Sequence, residues 1–290
     1  MNKIGIITVS YNSSLVIEEF LDSLLRQSYS DWQLYIVDSA SHDDTLTKIA
    51  NYVEARITIL PQSKNVGFAG GNNIGVAKAI ADGCNELLLI NNDTIFAPDF
   101  LDKFCNLRKQ YPHAILTPKI YYPDNLTLWC AGGGFRPERA YAAYHRGENE
   151  IDNGQYDSNN YCDFVPMCCV MIPLQSWYKV GELDEKFFIY SEDADWFYRA
   201  HKLDIKLMYC FGLSLIHKVS SLTGGAKSKI GAWYGSRNRV YFLRKHFSGW
   251  QCSRLLATYC GGMLIKLILR KYSIKEFYWR LSGVINGFRL

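Results

Sequence analysis

The sequence has no apolar run long enough to cross a membrane. A spanning helix needs about 20 consecutive apolar residues, and polar or charged residues interrupt every stretch of this 290-residue chain before that length. Residues 1–10 lead straight into an apolar strand, without the basic and then apolar leader of a signal peptide. We therefore expect a cytoplasmic protein with no spanning segment and no secretion signal.

The nine cysteines show no repeated metal-type spacing, and their number is odd. A zinc site or a complete disulfide framework would need such a pattern. We interpret the cysteines as reduced core residues of a cytosolic protein.

Two common nucleotide-binding motifs are also missing. The chain contains neither G-x-G-x-x-G nor a P-loop ending in Gly-Lys-Ser/Thr, so the sequence does not indicate a dinucleotide-binding fold or a P-loop NTPase. It contains no recognised nucleic-acid-binding module and no internal repeat. We expect no nucleic-acid partner.

Charge is present but unevenly distributed. The net charge is +4, yet residues 226–290 hold 13 Lys and Arg against one acid, Glu276. Residues 1–225 hold 19 basic and 27 acidic side chains. This split indicates an acidic catalytic body with a basic tail that contacts an anionic surface.

Apolar periodicity predicts alternating strands and helices over the first hundred residues. The predicted strands are Ile4–Ser10, Gln33–Asp38, Ile57–Leu60 and Leu87–Ile90. The predicted helices are Leu15–Gln27, one opening near Asp43, and one that follows a glycine-rich turn at Gly67–Gly71 and runs to about Ala81. Four such alternations are typical of an α/β protein with a doubly wound, mainly parallel sheet.

The second half is less regular. Residues 121–160 are rich in Tyr, Asn, Asp and Gly and are predicted to form a long surface loop. A strand at Phe164–Ile172, a helix from about Asp193, a strand at Ile205–Cys210 and a helical C-terminal region follow. We predict a catalytic domain over 1–225, with halves of about 1–110 and 111–225, and a basic amphipathic helical region over 226–290.

Four polar clusters fall at the ends of the predicted elements. They are Thr8–Asn12, Asp38–Asp44, Asn65–Asn73 and Asn91–Asp93. Ligands of open α/β sheets bind outside the carboxyl ends of the strands, so these clusters are expected to face one crevice. A carboxylate beside an amide suits a hard divalent cation that holds a diphosphate, and the alternative for Asn91–Asp93 is a solvated turn. The glycines of the third cluster would bring backbone and helix N–H groups close to an anion, or simply form a tight turn.

The clusters resemble, in sequence and order, the motifs of family 2 glycosyltransferases with the GT-A fold. The matching segments are Thr8-Val9-Ser10-Tyr11-Asn12, Val37-Asp38-Ser39-Ala40-Ser41-His42-Asp43, Asn65-Val66-Gly67-Phe68-Ala69-Gly70-Gly71-Asn72-Asn73 and Asn91-Asn92-Asp93. The likeness continues through Trp129–Gly133, Asp163–Pro166, Glu192-Asp193 and His217, and so covers about residues 4–240. Within the family, the sequence is most similar to bacterial rhamnosyltransferase-like enzymes of O-antigen and cell-wall assembly.

The resemblance implies roles for particular residues. The nucleotide-sugar donor would be bound by Thr8, Ser10, Tyr11, Asp38, Asn65, Gly67, Gly71, Asn72, Asn91, Asn92 and Asp93. Asp93 would bind Mg²⁺ or Mn²⁺, with His217 as a second ligand, although Asn91 replaces an aspartate of the usual acidic pair. Asp193 would be the catalytic base and Glu192 would position it or the acceptor, while Trp129 and Arg199 would contact the acceptor.

Each of these residues also has a structural interpretation. His217 suits a core histidine, and Trp129 suits loop packing. Acids at a helix start are favoured by the helix dipole, and Asp195 with Arg199 has the spacing of an i,i+4 ion pair. Other arginines, Arg237 among them, suit either phosphate contacts or structural ones.

The resemblance implies an inverting transfer of a sugar from a nucleotide diphosphate to a hydroxyl of a polyprenyl-diphosphate-linked surface glycan, with dTDP-L-rhamnose as the expected donor. Other candidate donors are UDP-galactofuranose, UDP-N-acetylglucosamine and UDP-galactose, and a non-catalytic sugar-nucleotide or glycan-binding subunit is the alternative from another class. Apolar–basic helices such as those of 240–290 lie in membrane interfaces. We therefore expect a peripheral protein of the inner membrane face, with a packed appendage or a homo-oligomer contact as the alternatives for these helices.

Overall fold

The computed structural model describes residues 3–218, 225 and 228–290. Its strands are β1 (Ile4–Ser10), β2 (Trp32–Asp38), β3 (Ile57–Pro61), β4 (Glu86–Ile90), β5 (Thr94–Phe96), β6 (Ile115–Tyr121), β7 (Leu128–Cys130), β8 (Gly133–Arg136), β9 (Ala142–His145), β10 (Asn160–Cys162), β11 (Cys169–Pro173) and β12 (Leu207–His217). Its α-helices are α1 (Ile17–Leu25), α2 (Thr45–Ala50), α3 (Gly67–Ala81), α4 (Phe100–Gln110), α5 (Leu174–Val180), α6 (Glu192–Lys202), α7 (Lys229–His246), α8 (Gly249–Ile268) and α9 (Ile274–Gly287).

A ten-stranded sheet forms the centre of the molecule, in the order β10-β12-β6-β11-β4-β1-β2-β3, with β5 beside β12 and β7 beside β6. The neighbouring strands β4, β1, β2 and β3 are parallel, and so are β6 and β12. Strand β11 runs antiparallel between β4 and β6. The predicted α/β fold with a mainly parallel sheet is therefore confirmed.

Helices cover both faces of this sheet, which explains why its inner strands read as unbroken apolar runs. Alternate side chains of β1 point to opposite faces. Ile6 packs with Phe20 and Phe104 in the core under α1 and α4. Ile7 packs with Val76 and Trp196 in the core under α3 and α6. The sheet thus holds its strand ends rigidly between two apolar layers.

The structure differs from the sequence prediction in several places. Strand β12 runs from Leu207 to His217, well beyond the predicted Ile205–Cys210, and its last residues pair with β5. Helix α3 starts at Gly67, so the glycines lie in its first turns and not in a preceding turn. Strand β11 starts at Cys169 because Pro166, which has no N–H to donate, lies in the bend that precedes it. Residues 121–160 are not one long loop, since they contain β7 and the β8–β9 hairpin.

The predicted helical C-terminal region is confirmed by α7, α8 and α9. Helix α7 packs on the preceding part of the chain, where Phe242 contacts Phe135 and Tyr198. Its last turn is tied to α6, because Lys245 and His246 each lie 2.8 Å from the carboxylate of Asp195. None of the helices in the described part of the chain has the length and apolarity required for a membrane span.

Candidate active site

The carboxyl ends of β1, β2 and β4 bring the predicted donor-binding side chains to one edge of the sheet. Ser10 lies opposite Asp38 in the parallel register, and β4 runs parallel to β1 on its other side. The Ser10 hydroxyl donates to Asp38 Oδ1 at 2.8 Å. Ser41 donates to the same carboxylate through its hydroxyl at 2.6 Å and its N–H at 3.0 Å. These bonds hold the Asp38 carboxylate in one orientation. The residue is buried, with only 1% of its surface exposed.

Two further hydroxyls, on Thr8 of β1 and on Ser39 directly after β2, are buried. Thr8 Oγ1 and Ser39 Oγ have no hydrogen-bond partner within the described residues 3–218, 225 and 228–290. Buried polar groups are normally paired, so unpaired ones indicate a binding surface. Tyr11, directly after β1, is 40% exposed. Its side chain can cover a ligand from outside.

Asp93 and His217 come together although 124 positions separate them in the sequence. Strand β5 pairs with the end of β12, which places His217 opposite Thr94, and the Lys218 N–H donates to the carbonyl of Asp93. His217 Nε2 lies 3.1 Å from Asp93 Oδ1, and both side chains are buried. Asn91 precedes them at the end of β4. The pair of carboxylate and imidazole suits a divalent cation.

Trp129 holds the ring of His217. Its indole packs edge-on against His217 at 4.5 Å and against His145 at 4.7 Å between ring centroids. His145 lies 3.2 Å from the Trp129 carbonyl, and burial lowers the pKa of His145 to about 4. This contact corresponds to the packing interpretation of Trp129, and its acceptor contact stays a prediction. Sequence reasoning did not single out His145, because nothing in the neighbouring sequence distinguishes it.

Glu192 and Asp193 open α6 directly after Tyr190 and Ser191, which have left-handed backbones. The carboxylate of Asp193 accepts hydrogen bonds from the N–H groups of Ala194 and Met167. Burial raises the pKa of Asp193 to about 6. Burial and the adjacent charge of Asp193 raise the pKa of Glu192 well above its usual range. A carboxylate in this state can take up a proton near neutral pH.

The segment around Cys168 connects the acids Glu192 and Asp193 with the candidate metal ligands Asp93 and His217. The Asn91 N–H donates to the Cys168 carbonyl at 2.8 Å, and the preceding N–H, of Met167, donates to Asp193. Burial raises the pKa of the Cys168 thiol well above its usual value, and the charges of Asp93 and Asp193 are among those that raise it further. Both carboxylates therefore lie close to one short stretch of chain, Met167 and Cys168.

The Gly67–Asn73 motif contacts protein in this structure. The Asn65 side chain accepts from the Gly67 N–H, and Asn72 donates to the carbonyl of Phe68 in its own helix. A Cβ on Gly67, where φ is +73°, would lie 2.5 Å from a backbone oxygen of the loop before Glu192, and a Cβ on Gly71 would lie 2.7 Å from Val9. These glycines let chain segments pack closely, so the donor contacts of Asn65, Gly67, Gly71 and Asn72 stay predictions.

Two further predicted residues are engaged within the protein. The side chain of Asn92 donates to the Val9 carbonyl at 3.0 Å and to Ser13 Oγ at 3.2 Å, which ties β4 to the end of β1. Arg199 donates to Asp195 at 3.0 Å and to two main-chain carbonyls, at residues 180 and 182. The i,i+4 pair is confirmed, whereas the geometry does not favour an acceptor contact by Arg199.

A cavity of about 420 Å³ lies at the amino ends of β6 and β12. It is lined by Tyr111, Ala114, Tyr161 and Lys206 among others. None of its lining residues carries one of the predicted roles, so the candidate site remains at the carboxyl ends of the strands.

Relatives with curated names match nearly the whole chain. The protein is 22% identical over 298 residues to the low-salt glycan biosynthesis hexosyltransferase Agl10 of Haloferax volcanii, covering 99% of this chain and 92% of the relative. It is 22% identical over 307 residues to the N-acetylglucosaminyl-diphospho-decaprenol L-rhamnosyltransferase of Mycobacterium tuberculosis, covering 97% of each.

Solved structures share the fold. TarS residues 1–349 of S. aureus, in complex with UDP, superpose with a TM-score of 0.60 at 13% identity, covering 99% of this chain and 80% of that one. The mannosyltransferase PcManGT of Pyrobaculum calidifontis, with GDP-Man and Mn²⁺, superposes with a TM-score of 0.59 at 13% identity, covering 99% and 86%. The fold is therefore GT-A. The model of the family described as "Glycosyl transferase family 2" matches residues 5–168, more than half of the chain, and the protein belongs to that family.

Proposed function

We propose that the protein is a metal-dependent, inverting glycosyltransferase whose catalytic base is Asp193. The observation that carries this proposal is that Asp193 and Asp93 lie near the same short stretch of chain, where Met167 bonds to Asp193 and Asn91 bonds to the Cys168 carbonyl. We infer that the two carboxylates face one cleft. An acceptor hydroxyl oxygen attacks the anomeric carbon while the bond from that carbon to the diphosphate oxygen breaks. The hydroxyl proton passes to Asp193, and the nucleoside diphosphate leaves. Direct displacement inverts the anomeric carbon and needs no enzyme nucleophile.

Asp93 and His217 are the proposed metal ligands. Mg²⁺ and Mn²⁺ sites in nucleotide enzymes commonly use one or two protein ligands and complete the shell with substrate phosphates and water. This suits a pair of ligands, since the described part of the chain contains no cluster of three or more His, Cys, Asp or Glu side chains for a metal. The imidazole favours Mn²⁺ over Mg²⁺. The bound cation would neutralise negative charge on the departing diphosphate.

For the donor we propose dTDP-L-rhamnose, and for the acceptor a sugar linked through diphosphate to a polyprenyl lipid. Support comes from the mycobacterial relative, whose name gives it both an L-rhamnosyl product and a diphospho-decaprenol acceptor. The match extends over 97% of both chains, so it spans Glu192 and Asp193 as well as the strand ends that would bind the donor.

A donor panel tests this function. Thermal unfolding would be followed with dTDP-L-rhamnose, UDP-galactofuranose, UDP-N-acetylglucosamine and UDP-galactose, each with and without Mn²⁺, and transfer to a short polyprenyl-diphosphate-linked acceptor would be assayed alongside. A donor at about 100 times its dissociation constant stabilises a protein by about 2.7 kcal/mol. We expect that stabilisation and turnover for the rhamnosyl donor with Mn²⁺. Stabilisation by another sugar alone would correct the donor, and binding without turnover on any acceptor would indicate a non-catalytic subunit.

We also propose that the tip between α8 and α9, residues 264–275, binds the inner surface of the membrane. Its apolar side chains are exposed, Ile268 to 77% and Ile274 to 83%. Exposed basic side chains alternate with them, at Lys266, Arg270, Lys271 and Lys275. Apolar insertion with about 1 kcal/mol of attraction per basic residue is typical of interfacial helices on anionic lipid.

Vesicle flotation tests the tip. The protein should float with vesicles of phosphatidylcholine and phosphatidylglycerol, and much less with phosphatidylcholine alone. The double variant Arg270→Glu/Lys271→Glu should lose most of this binding, whereas Lys206→Glu, an equal charge change per site on the catalytic body, should retain it. Equal flotation of the double variant and the control would contradict the proposal.

A further inference from the structure

The chain that leads into the acid pair has an unusual backbone. Phe188, Tyr190 and Ser191 have φ angles of +64°, +67° and +69°, although none of them is glycine. Side chains with a Cβ rarely adopt this region, and such residues persist only where the surrounding structure enforces the conformation. Residues 187–193, here the acid segment, must therefore be held by contacts from outside.

Asn238, in the middle of α7, supplies the main contact. It is 0% exposed, and its Nδ2 lies 2.8, 2.7 and 2.6 Å from the carbonyl oxygens of residues 187, 189 and 190, which share its two N–H groups. Three carbonyl oxygens around one atom require a donor there, which fixes the orientation of the amide. A single side chain thus binds three carbonyls within four residues of the acid segment.

Arg237 fixes Asn238 from the other end of the amide. Its Nε donates to Asn238 Oδ1 at 2.8 Å, and its Nη2 donates to the carbonyls of Lys186 and Phe187 at 2.5 and 2.9 Å. Arg237 therefore has a structural role. Its guanidinium also binds the carbonyl of Lys186, one residue before the acid segment.

Helix α9 supports α7 at the same level. A Cβ on Gly283 would lie 2.3 Å from the Trp233 carbonyl, and one on Gly287 would lie 2.5 Å from the Arg237 carbonyl. The two helices approach this closely only because both positions are glycine. The C-terminal helices therefore set the position of the Arg237–Asn238 pair.

Helix α3 holds the opposite side of the acid segment. The Phe68 N–H donates to the Phe188 carbonyl at 2.7 Å. Asn73 exchanges hydrogen bonds with the backbone of Leu183, at 2.9 and 3.0 Å, just upstream. The acid segment is thus clamped between the donor-side helix and the C-terminal region.

We propose that Asn238 and Arg237 are positioning residues for the reaction, which hold Glu192 and Asp193 at the cleft through the backbone of the acid segment. The proposal rests on the function given above for Asp193. A displacement of reacting groups by about 1 Å can lower a rate about 100-fold, so a loosened segment should lower kcat while donor binding at the strand ends persists.

Hydrogen exchange tests the clamp without any substrate. The variants are Asn238→Ala and Arg237→Met, and the control is Gly235→Ala on the same helix, where an added Cβ meets nothing within 4 Å. Amides of residues 187–194 should exchange at least about 10-fold faster in both variants than in the control, because the carbonyl partners are lost. If Asn238→Ala does not fold, Arg237→Met decides. Unchanged exchange in this stretch would overturn the proposal.

Kinetics then test the consequence. With wild-type turnover in hand, both variants should lose at least about 10-fold in kcat, whereas the dissociation constant of the donor should stay within about twofold. A parallel loss of donor affinity, or an unchanged kcat, would overturn the positioning role. Faster exchange in a protein with no wild-type turnover on any donor would leave the clamp standing and refute the proposed function instead.

Discussion

The two sides of the candidate site are built in different ways. On the donor side, Thr8, Ser10 and Asp38 lie in buried parallel strands and Asn91–Asp93 follow another, so the sheet register brings them to one edge. On the other side, Glu192 and Asp193 follow a left-handed stretch that hydrogen bonds from α3 and α7 hold in place. The sheet sets the geometry of the donor side, whereas a few long-range contacts set the geometry of the side that carries Glu192 and Asp193.

Because of this difference, we expect the two sides to serve different functions. The strand ends are fixed between two apolar cores and suit binding of a donor that must always fit the same way. The acid segment lies outside the sheet and is held by hydrogen bonds and by the packing of Phe187 and Phe188 on α7. Its position can therefore be disturbed without unfolding the sheet. Substitutions on the two sides should therefore produce different losses.

The largest effect is expected for Asp193→Asn. The amide cannot accept the acceptor proton, and loss of a general base lowers turnover about 10²- to 10⁴-fold. Donor binding should be almost unchanged, since the strand ends are untouched. Steady-state kinetics with calorimetry of donor binding would measure both.

The matched control is Asp204→Asn, which removes a carboxylate whose side chain is 87% exposed on the loop after α6. It should retain wild-type turnover. A loss of donor affinity in Asp193→Asn as large as its loss of kcat would mean that the two sides of the site are not separate.

The same contrast shows what the sequence could predict. Asp38 ends one apolar run and Asp93 follows another. Parallel strands end at a common edge, so their convergence could be predicted. The pairing of Asp93 with His217 was suggested only by the family resemblance, because the β5–β12 contact that creates it spans more than a hundred residues.

The acid segment shows where such reasoning stops. Asn238 lies in a helix that reads as amphipathic and basic, and nothing local marks its amide as the partner of three carbonyls 48 to 51 residues away. The glycine motif from Gly67 was similarly assigned to the donor, because close approach of backbone to a ligand and to protein require the same residue. Long-range polar contacts leave no periodic signal in the sequence.

His217→Ala should have the second largest effect, this time on the donor side. Loss of one of two protein ligands should weaken Mn²⁺ binding at least about 10-fold, by analogy with losses of 10- to 100-fold for outer contacts. Titration of Mn²⁺ in the presence of the nucleoside diphosphate, followed by electron paramagnetic resonance, would measure it. His201→Ala, which removes a half-exposed histidine of α6, should bind Mn²⁺ normally. Equal Mn²⁺ affinity in both variants would remove His217 from the metal site.

The acid side should also control the pH dependence of kcat. Burial raises the pKa of Asp193 to about 6, so the base is ionised above that pH and protonated below it. At saturating donor, acceptor and Mn²⁺, kcat should fall about 10-fold for each unit below pH 6 and level off above it. An acidic limb near pH 4 would show that Asp193 is not buried during turnover.

The free energy of unfolding should change with pH in the opposite direction to kcat. Because the pKa of Asp193 is higher in the folded than in the unfolded protein, folding becomes less favourable as pH rises from about 4 to 6. Asp193→Asn should therefore be more stable than wild type at pH 7.5, by at most about 3 kcal/mol, and the advantage should disappear at pH 4. Denaturant unfolding at the two pH values would measure it, and an equal advantage at both would contradict the assignment.

The smallest effect is expected for Asn92→Ala, which tests how the donor side holds itself together. The substitution leaves the Val9 carbonyl and the Ser13 hydroxyl without the amide that joins β4 to β1. An unsatisfied buried group costs about 1–3 kcal/mol, so the melting temperature should fall by several degrees. Asn106→Ala, on the exposed face of α4, should change stability by less than about 0.5 kcal/mol. Because the strand ends belong to the cooperative core, the loss should appear as lower global stability, with no faster exchange confined to the strand ends. Local exchange at residues 8–13 without a change in melting temperature would show that this edge, like the acid segment, is held by its side chains and not by the sheet.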